Sequence, residues 1–189
     1  MATMTDIKPP HPSPSPDPAR FYGKYRGVVV NNIDPEQIGR IQAQVPDVPG
    51  TTPSSWAMPC VPFTGIQAGC FLVPPIGSDV WMEFEQGNPA YPIWTGGFWG
   101  QVATVPTLAL TPPAIPPGQN IALQTTLQSA VLISDASATP TSGGIILKSA
   151  GGATIVVNDT GIYLNNGKGA VVTLIGPAVD VNNGGLTVI

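Results

Sequence analysis

The chain has 189 residues, 42% of them hydrophobic and only 10% charged, with 23 prolines, 22 glycines and a net charge of −4. This balance excludes a disordered chain, which would be polar and charged, and seven basic residues leave no cationic patch for nucleic acid. No apolar run approaches the ~20 residues that cross a bilayer, and no apolar signal segment opens the chain, so secretory export is not expected.

Residues 1–19 read as a proline-rich extended arm. Pro9, Pro10, Pro12, Pro14, Pro16 and Pro18 remove the backbone donors that a helix or sheet needs. His11, the one histidine, lies in this arm and reads as solvated rather than as a ligand. Residues 20–100 read as a compact barrel of about five short strands. Phe21–Asn32 is aromatic and β-branched and breaks at Asn31–Pro35. Gly39–Val45 alternates Ile41, Ala43 and Val45 against polar residues. Short apolar pieces follow at Trp56–Phe63 and Gly69–Val73. Asp79–Glu85 puts Val80, Met82 and Phe84 on one face, and Ile93–Trp99 closes the unit. Every Trp and Tyr except Tyr163 lies here, which predicts one aromatic-rich core. Cys60 and Cys70 have neither metal-ligand spacing nor a histidine partner and read as two reduced, buried thiols. No cofactor or metal site is expected.

Residues 101–120 read as a linker stiffened by Pro112, Pro113, Pro116 and Pro117. Residues 121–189 are nearly free of charge; after residue 100 only Asp135, Lys148, Asp159, Lys168 and Asp180 are ionic. Ala130–Ser134 and Ile145–Ser149 read as early strands of a stack. Apolar pairs then recur at Ile155/Val157, Ile162/Leu164, Val172/Leu174, Val179/Val181 and Leu186/Val188, in steps of 7, 10, 7 and 7 residues. The spacing of two within each pair is the strand period, and Gly, Asn or Asp closes each run. One face of such a ribbon is apolar, while the other carries Thr154, Val156, Tyr163, Thr173, Asp180 and Thr187. A ribbon this narrow has nothing of its own to cover the apolar face, and its edges are unpaired. Three copies sharing a core as a triangular prism would solve both problems. Charges turned inward would be costly to desolvate, and outward charges repeated three times would repel, which accounts for their scarcity.

The segment YRGVVVNNIDPEQIGRIQAQVPDV, then SSWAMPCVPF, then PPIGSDVWMEFEQGNPAYPIWTGGFWG resembles the OB-fold of contractile-tail spike proteins. That family includes phage baseplate assembly protein V, the central spike hub of large contractile phages, and valine-glycine repeat protein G of type VI secretion. The elements that carry the resemblance are Gly27, Asp34-Pro35, Gly39-Arg40, Val45-Pro46, Trp56-Ala57, Pro75 with Gly77, Val80, Phe84, Gly87-Asn88-Pro89 and Pro92. Downstream, LQSAVLISDASATPTSGGIILKSAGGATIVVNDTGIYL and the ending VDVNNGGLTVI resemble the family's trimeric β-needle.

The resemblance implies an all-β fold, an OB barrel followed by an intertwined trimeric β-helix or β-prism. It implies a homotrimer with Ile155, Val157, Ile162, Leu164, Val172, Leu174, Val179 and Val181 in its core. It further implies a baseplate hub partner, a tip protein with proline-alanine-alanine-arginine repeats seated on Leu186, Val188 and Ile189, and contact with a target envelope on firing. Assembly would take place in the bacterial cytoplasm, before incorporation into a phage tail or tail-like particle. The chain departs from parts of the family. A short proline-rich linker stands where some members carry a lysozyme domain, no His-x-His iron site ends the needle, and no hub domain stands between the arm and the barrel.

Two other functions compete with a mechanical spike. OB-folds bind oligonucleotides or oligosaccharides, and Trp81, Trp94 or Trp99 could stack on sugars as part of a phage fibre. Asp79, Glu83 and Glu85 share one predicted strand face and could mimic an acid/base pair, but a solvated or intersubunit outer face is the reading preferred for them. No nucleophile elbow, phosphate loop or metal cluster accompanies them, so the chain does not read as an enzyme.

Overall fold

The computed structural model describes residues 19–50, 53–110 and 120–188. The arm up to residue 18 with His11, the four linker prolines and Ile189 lie outside the described residues. The chain divides into two compact units between Phe98 and Trp99.

The first unit contains β1 (Tyr25–Asn31), β2 (Gln42–Gln44), β3 (Met58–Pro59), β4 (Thr64–Gly65), β5 (Ala68–Gly69), β6 (Asp79–Phe84) and β7 (Pro92–Gly97). Five of them form a sheet in the order β2-β1-β6-β7-β3, antiparallel except for β3 beside β7. Ile41 and Ala57 then exchange backbone hydrogen bonds of 3.2 and 2.7 Å, joining the approach to β2 with the approach to β3 and closing the ring. Closure removes the sheet edges. Inside lie Val29, Ile41, Ala43, Val45, Val80 and Met82, with Phe84 and Trp94 at the ends of this core.

Several predicted strands are shorter than the sequence pattern. Phe21 does not extend β1. Its N–H donates to the Gly87 carbonyl at 2.8 Å, and its ring packs on Tyr25 and Phe84 as a plug. Trp56–Phe63 yields only the two residues of β3, because Pro59 and Pro62 lack donors. Gly69–Val73 contributes only to the small β4–β5 hairpin. The core is mainly aliphatic rather than aromatic-rich: Tyr22, Tyr91 and Trp99 are exposed, and Trp94 is buried with its indole N–H on the Gly39 carbonyl at 3.0 Å. Cys60 is exposed and Cys70 half-buried, which corrects their reading as buried thiols.

The β1–β2 loop is held by one carboxylate. Asp34 accepts backbone N–H groups from Glu36, Ile38 and Arg40 at 2.9–3.2 Å. It also takes a two-pronged bond from the Arg40 guanidinium at 3.0 and 2.7 Å. The guanidinium first, and then the backbone donors, outweigh burial and hold the Asp34 carboxyl well below the usual carboxylate range. Arg40 in turn lies over the Trp56 ring at 5.6 Å.

The second unit begins with short 3-10 turns at Val102–Thr104 and Thr107–Leu110. Eight strands follow: β8 (Ile121–Gln124), β9 (Ala130–Thr139), β10 (Ser142–Lys148), β11 (Thr154–Asn158), β12 (Gly161–Asn165), β13 (Val171–Ile175), β14 (Ala178–Val181) and β15 (Leu186–Val188). They form one antiparallel meander in which every strand pairs with its sequence neighbours. At ~4.8 Å per strand such a ladder extends for roughly 35 Å. Among the described residues the protein is all-β, without an α-helix.

Candidate assembly surface

Side chains directly opposite in an antiparallel pair share a face. The ladder register therefore writes out two continuous rows. One runs Ile121, Ile133, Ile145, Val157, Ile162, Leu174, Val179. The other runs Leu123, Val131, Leu147, Ile155, Leu164, Val172, Val181, Leu186. In backbone register Val188 follows Val179. Every position in both rows is Ile, Leu or Val. Ile145, Leu147, Ile155, Val157, Ile162 and Leu164 are each 37–47% exposed in the single chain. Large branched side chains are thus left open to water in a regular array, unlike the scattered apolar residues of an ordinary surface.

The eight positions singled out from the sequence, Ile155 to Val181, all fall in these rows. Leu186 stands exposed on the last strand, and Ile189 lies outside the described residues. Sequence reasoning missed the three upstream rungs, Ile121/Leu123, Val131/Ile133 and Ile145/Leu147. Strands were read at two of these rungs but not their place in the rows: the same spacing of two was legible there, and the longer strands β9 and β10 hide the repeat.

Uncharged side chains hold the register. The Asn158 amide donates to the Thr139 and Ser142 carbonyls at 2.7 and 2.9 Å. Asn166 accepts the N–H groups of Lys168 and Ala170, and Asn182 accepts that of Val171. Gly161 opens β12 at φ 154°, where an added Cβ would run into the Leu174 carbonyl oxygen. None of the five charged residues of this unit occupies either row.

The opposite face differs from the mostly polar surface expected. Leu132, Val156 and Tyr163 are buried within the single chain, with the Tyr163 hydroxyl bonded to Thr160 at 2.8 Å. Leu108 and Thr141 border a cavity of about 240 Å³ over Leu132, Ile146 and Val156. This face is partly covered by its own chain, whereas the two rows are exposed from Ile121 to Leu164 and half-buried at Val172, Leu174, Val179 and Val181.

In the barrel, the residues considered for catalysis and stacking are dispersed. Glu83 pairs with Lys24 at 2.7 Å, and Glu85 leaves the strand for a 3-10 turn, so the three carboxylates do not share one face. Trp94 is a core residue, and Trp81 lies against Phe98 at 4.7 Å with Arg26 over its ring. Trp99 alone of the three is open. No group of three potential metal ligands occurs among the described residues.

A family model described as the type VI secretion system and phage-baseplate injector OB domain matches residues 25–99. A second, the phage baseplate V C-terminal trimerisation domain, matches residues 120–187. The chain belongs to the baseplate spike family. The first match coincides with the closed barrel and the second with the ladder that bears the two rows. No curated protein matches the chain. As a baseplate spike protein it has a structural role and forms part of a phage tail or tail-like particle, and its C-terminal half is a trimerisation domain. These are families of structural baseplate proteins.

Proposed function

We propose that three copies of this chain form the central spike of a contractile injection machine, with the two apolar rows of each ladder turned inward around a common axis. The observation that carries this reading is the unbroken double row of Ile, Leu and Val on one open face of a domain matched to trimerisation. Three such faces exclude water from each other and form a packed core, and the backbone ladder resists bending along its length. The barrels dock to a baseplate hub, and the needle transmits sheath contraction to the target envelope. A tip protein covers the open edge of β15, where Leu186 is exposed. Assembly precedes incorporation into the particle and takes place in the bacterial cytoplasm.

The test is the solution mass by light scattering. The full chain is expected at three chain masses and a version lacking residues 121–189 at one; a monomeric full chain overturns the reading. Tip carriage is tested separately with Leu186→Ser, which brings no charge to the axis and should keep the trimer and lose a tip protein co-expressed with it. Retention of the tip protein would place its seat elsewhere.

A further inference from the structure

The dipeptide Asn-Gly occurs twice in the chain, at Asn166-Gly167 between β12 and β13 and at Asn183-Gly184 between β14 and β15. It is the dipeptide most prone to lose its side-chain amide. The backbone nitrogen of the glycine can close a small ring on the asparagine Cγ, and glycine puts no side chain in the way. Closure depends on whether the asparagine side chain is held elsewhere and on what takes the proton from the nitrogen. On both counts the two turns differ.

At Asn166 both groups are occupied. Its Oδ1 accepts the N–H groups of Lys168 and Ala170 at 2.8 and 3.0 Å. The Gly167 N–H donates to the Asn165 side-chain oxygen at 2.7 Å, and a neutral amide is too weak a base to take its proton. The backbone around Gly152 also packs on Gly167, where an added Cβ would come within 2.8 Å.

At Asn183 the side chain is exposed and makes no hydrogen bond among the described residues. An added Cβ at Gly184 would meet nothing within 4 Å, so the glycine nitrogen is open to its surroundings. The Gly184 N–H donates to the Asp180 carboxylate at 3.1 Å. That is within the reach a general base needs to the proton it abstracts. Asp180 is paired on both sides, with Thr173 and Thr187, so the ladder fixes its backbone beneath the turn. A nucleophile, an unheld electrophile and a base thus stand together in one turn.

We propose that Asn183 is a self-modifying site, with Asp180 as its general base. Asp180 takes the proton of the Gly184 nitrogen, which bonds to Asn183 Cγ. The Cγ–Nδ2 bond then breaks, and the amide nitrogen leaves as ammonia with the proton that Asp180 returns. Water opens the cyclic imide at either carbonyl, giving aspartate or isoaspartate, the latter with the side-chain carbon in the main chain. Either product places a new negative charge in the turn that leads to Leu186. All three groups belong to one chain, so the inference stands apart from the threefold reading.

The test is peptide mapping of the full-length protein after incubation at neutral pH, with isoaspartate detected by enzymatic methylation. In the native protein residue 183 should convert at least about tenfold faster than Asn166, which carries the same dipeptide. An intact Asn183, or equal conversion at the two sites, overturns the proposal. Asp180→Asn, at unchanged solution mass, should slow conversion of Asn183 at least about tenfold, and an unchanged rate overturns the role of the base. A second measurement needs no variant. Asn183 should convert faster in the native protein than in the same protein unfolded in urea, where Asp180 is no longer positioned; slower conversion in the native protein overturns the proposal.

Discussion

The barrel and the ladder are built from the same short strands, yet only the barrel buries its own core. In the barrel, Ile41, Ala43, Val80 and Met82 are wholly removed from water, because a non-local bridge between Ile41 and Ala57 bends the sheet into a ring. In the ladder every pairing is between sequence neighbours, so no contact returns one end to the other and one face stays open. Closure by topology makes a self-sufficient domain. An open meander with an apolar face is finished only by other chains. The difference shows in charge as well. The barrel places Lys24, Glu83, Arg40 and Asp34 in ion pairs, whereas the ladder relies on asparagine amides to fix its turns.

The sharpest way to break this contrast is Val181→Asp. Its neighbour Asp180 already carries a carboxylate on the opposite face, so the ladder tolerates an acid at one position. One residue on, three acids would gather about the axis. The expected outcome is complete loss of the trimer by light scattering, with the Trp94 fluorescence of the barrel unchanged. A Val181→Asp protein that still trimerises would show that the other face is turned inward.

Met82→Ala should do the reverse. A cavity in the centre of the barrel costs about 2–5 kcal/mol, so the barrel transition falls in a denaturant titration while the mass stays that of the trimer. Joint collapse of both would mean that the barrel and the ladder unfold as one unit.

Asp34→Asn sharpens the electrostatic side of the comparison. The folded-state acidity of Asp34 is strongly increased, so its contribution to stability is complete above the unfolded value of about pH 4 and disappears as pH falls below it. The variant should melt below the parent at pH 7, by scanning calorimetry of the barrel transition, and the gap should narrow as the pH is lowered below about 4. A gap independent of pH would show that Asp34 acts by shape and not by charge.

Tyr163→Phe should have the smallest effect. It removes the hydroxyl that bonds Thr160 on the self-covered face of the ladder. A loss of about 1 kcal/mol in the ladder transition, with unchanged trimer mass, is expected.

Much of this was legible in the chain. The spacing of two in Ile155/Val157 and its successors is a local property, since strand period alone decides which side chains share a face. The alternation in Val80, Met82 and Phe84 gave the inward side of β6 in the same way, and Asp34-Pro35 with Gly39-Arg40 marked a built loop. Other features depend on which segments meet across long separations, and no local pattern carries that information. Trp94 rather than Trp81 became the core indole because β7 passes Gly39. Phe21 became a plug because Gly87 offered its carbonyl. Val156 and Tyr163 were read as part of a mostly polar face, yet the single chain buries them. The sequence by itself determined which side chains share a face within a strand and the downstream rungs of the two apolar rows, through period and turn chemistry. The tertiary structure decided that the barrel closes on itself and the ladder does not, because closure depends on one long-range pairing that only the folded backbone can bring together.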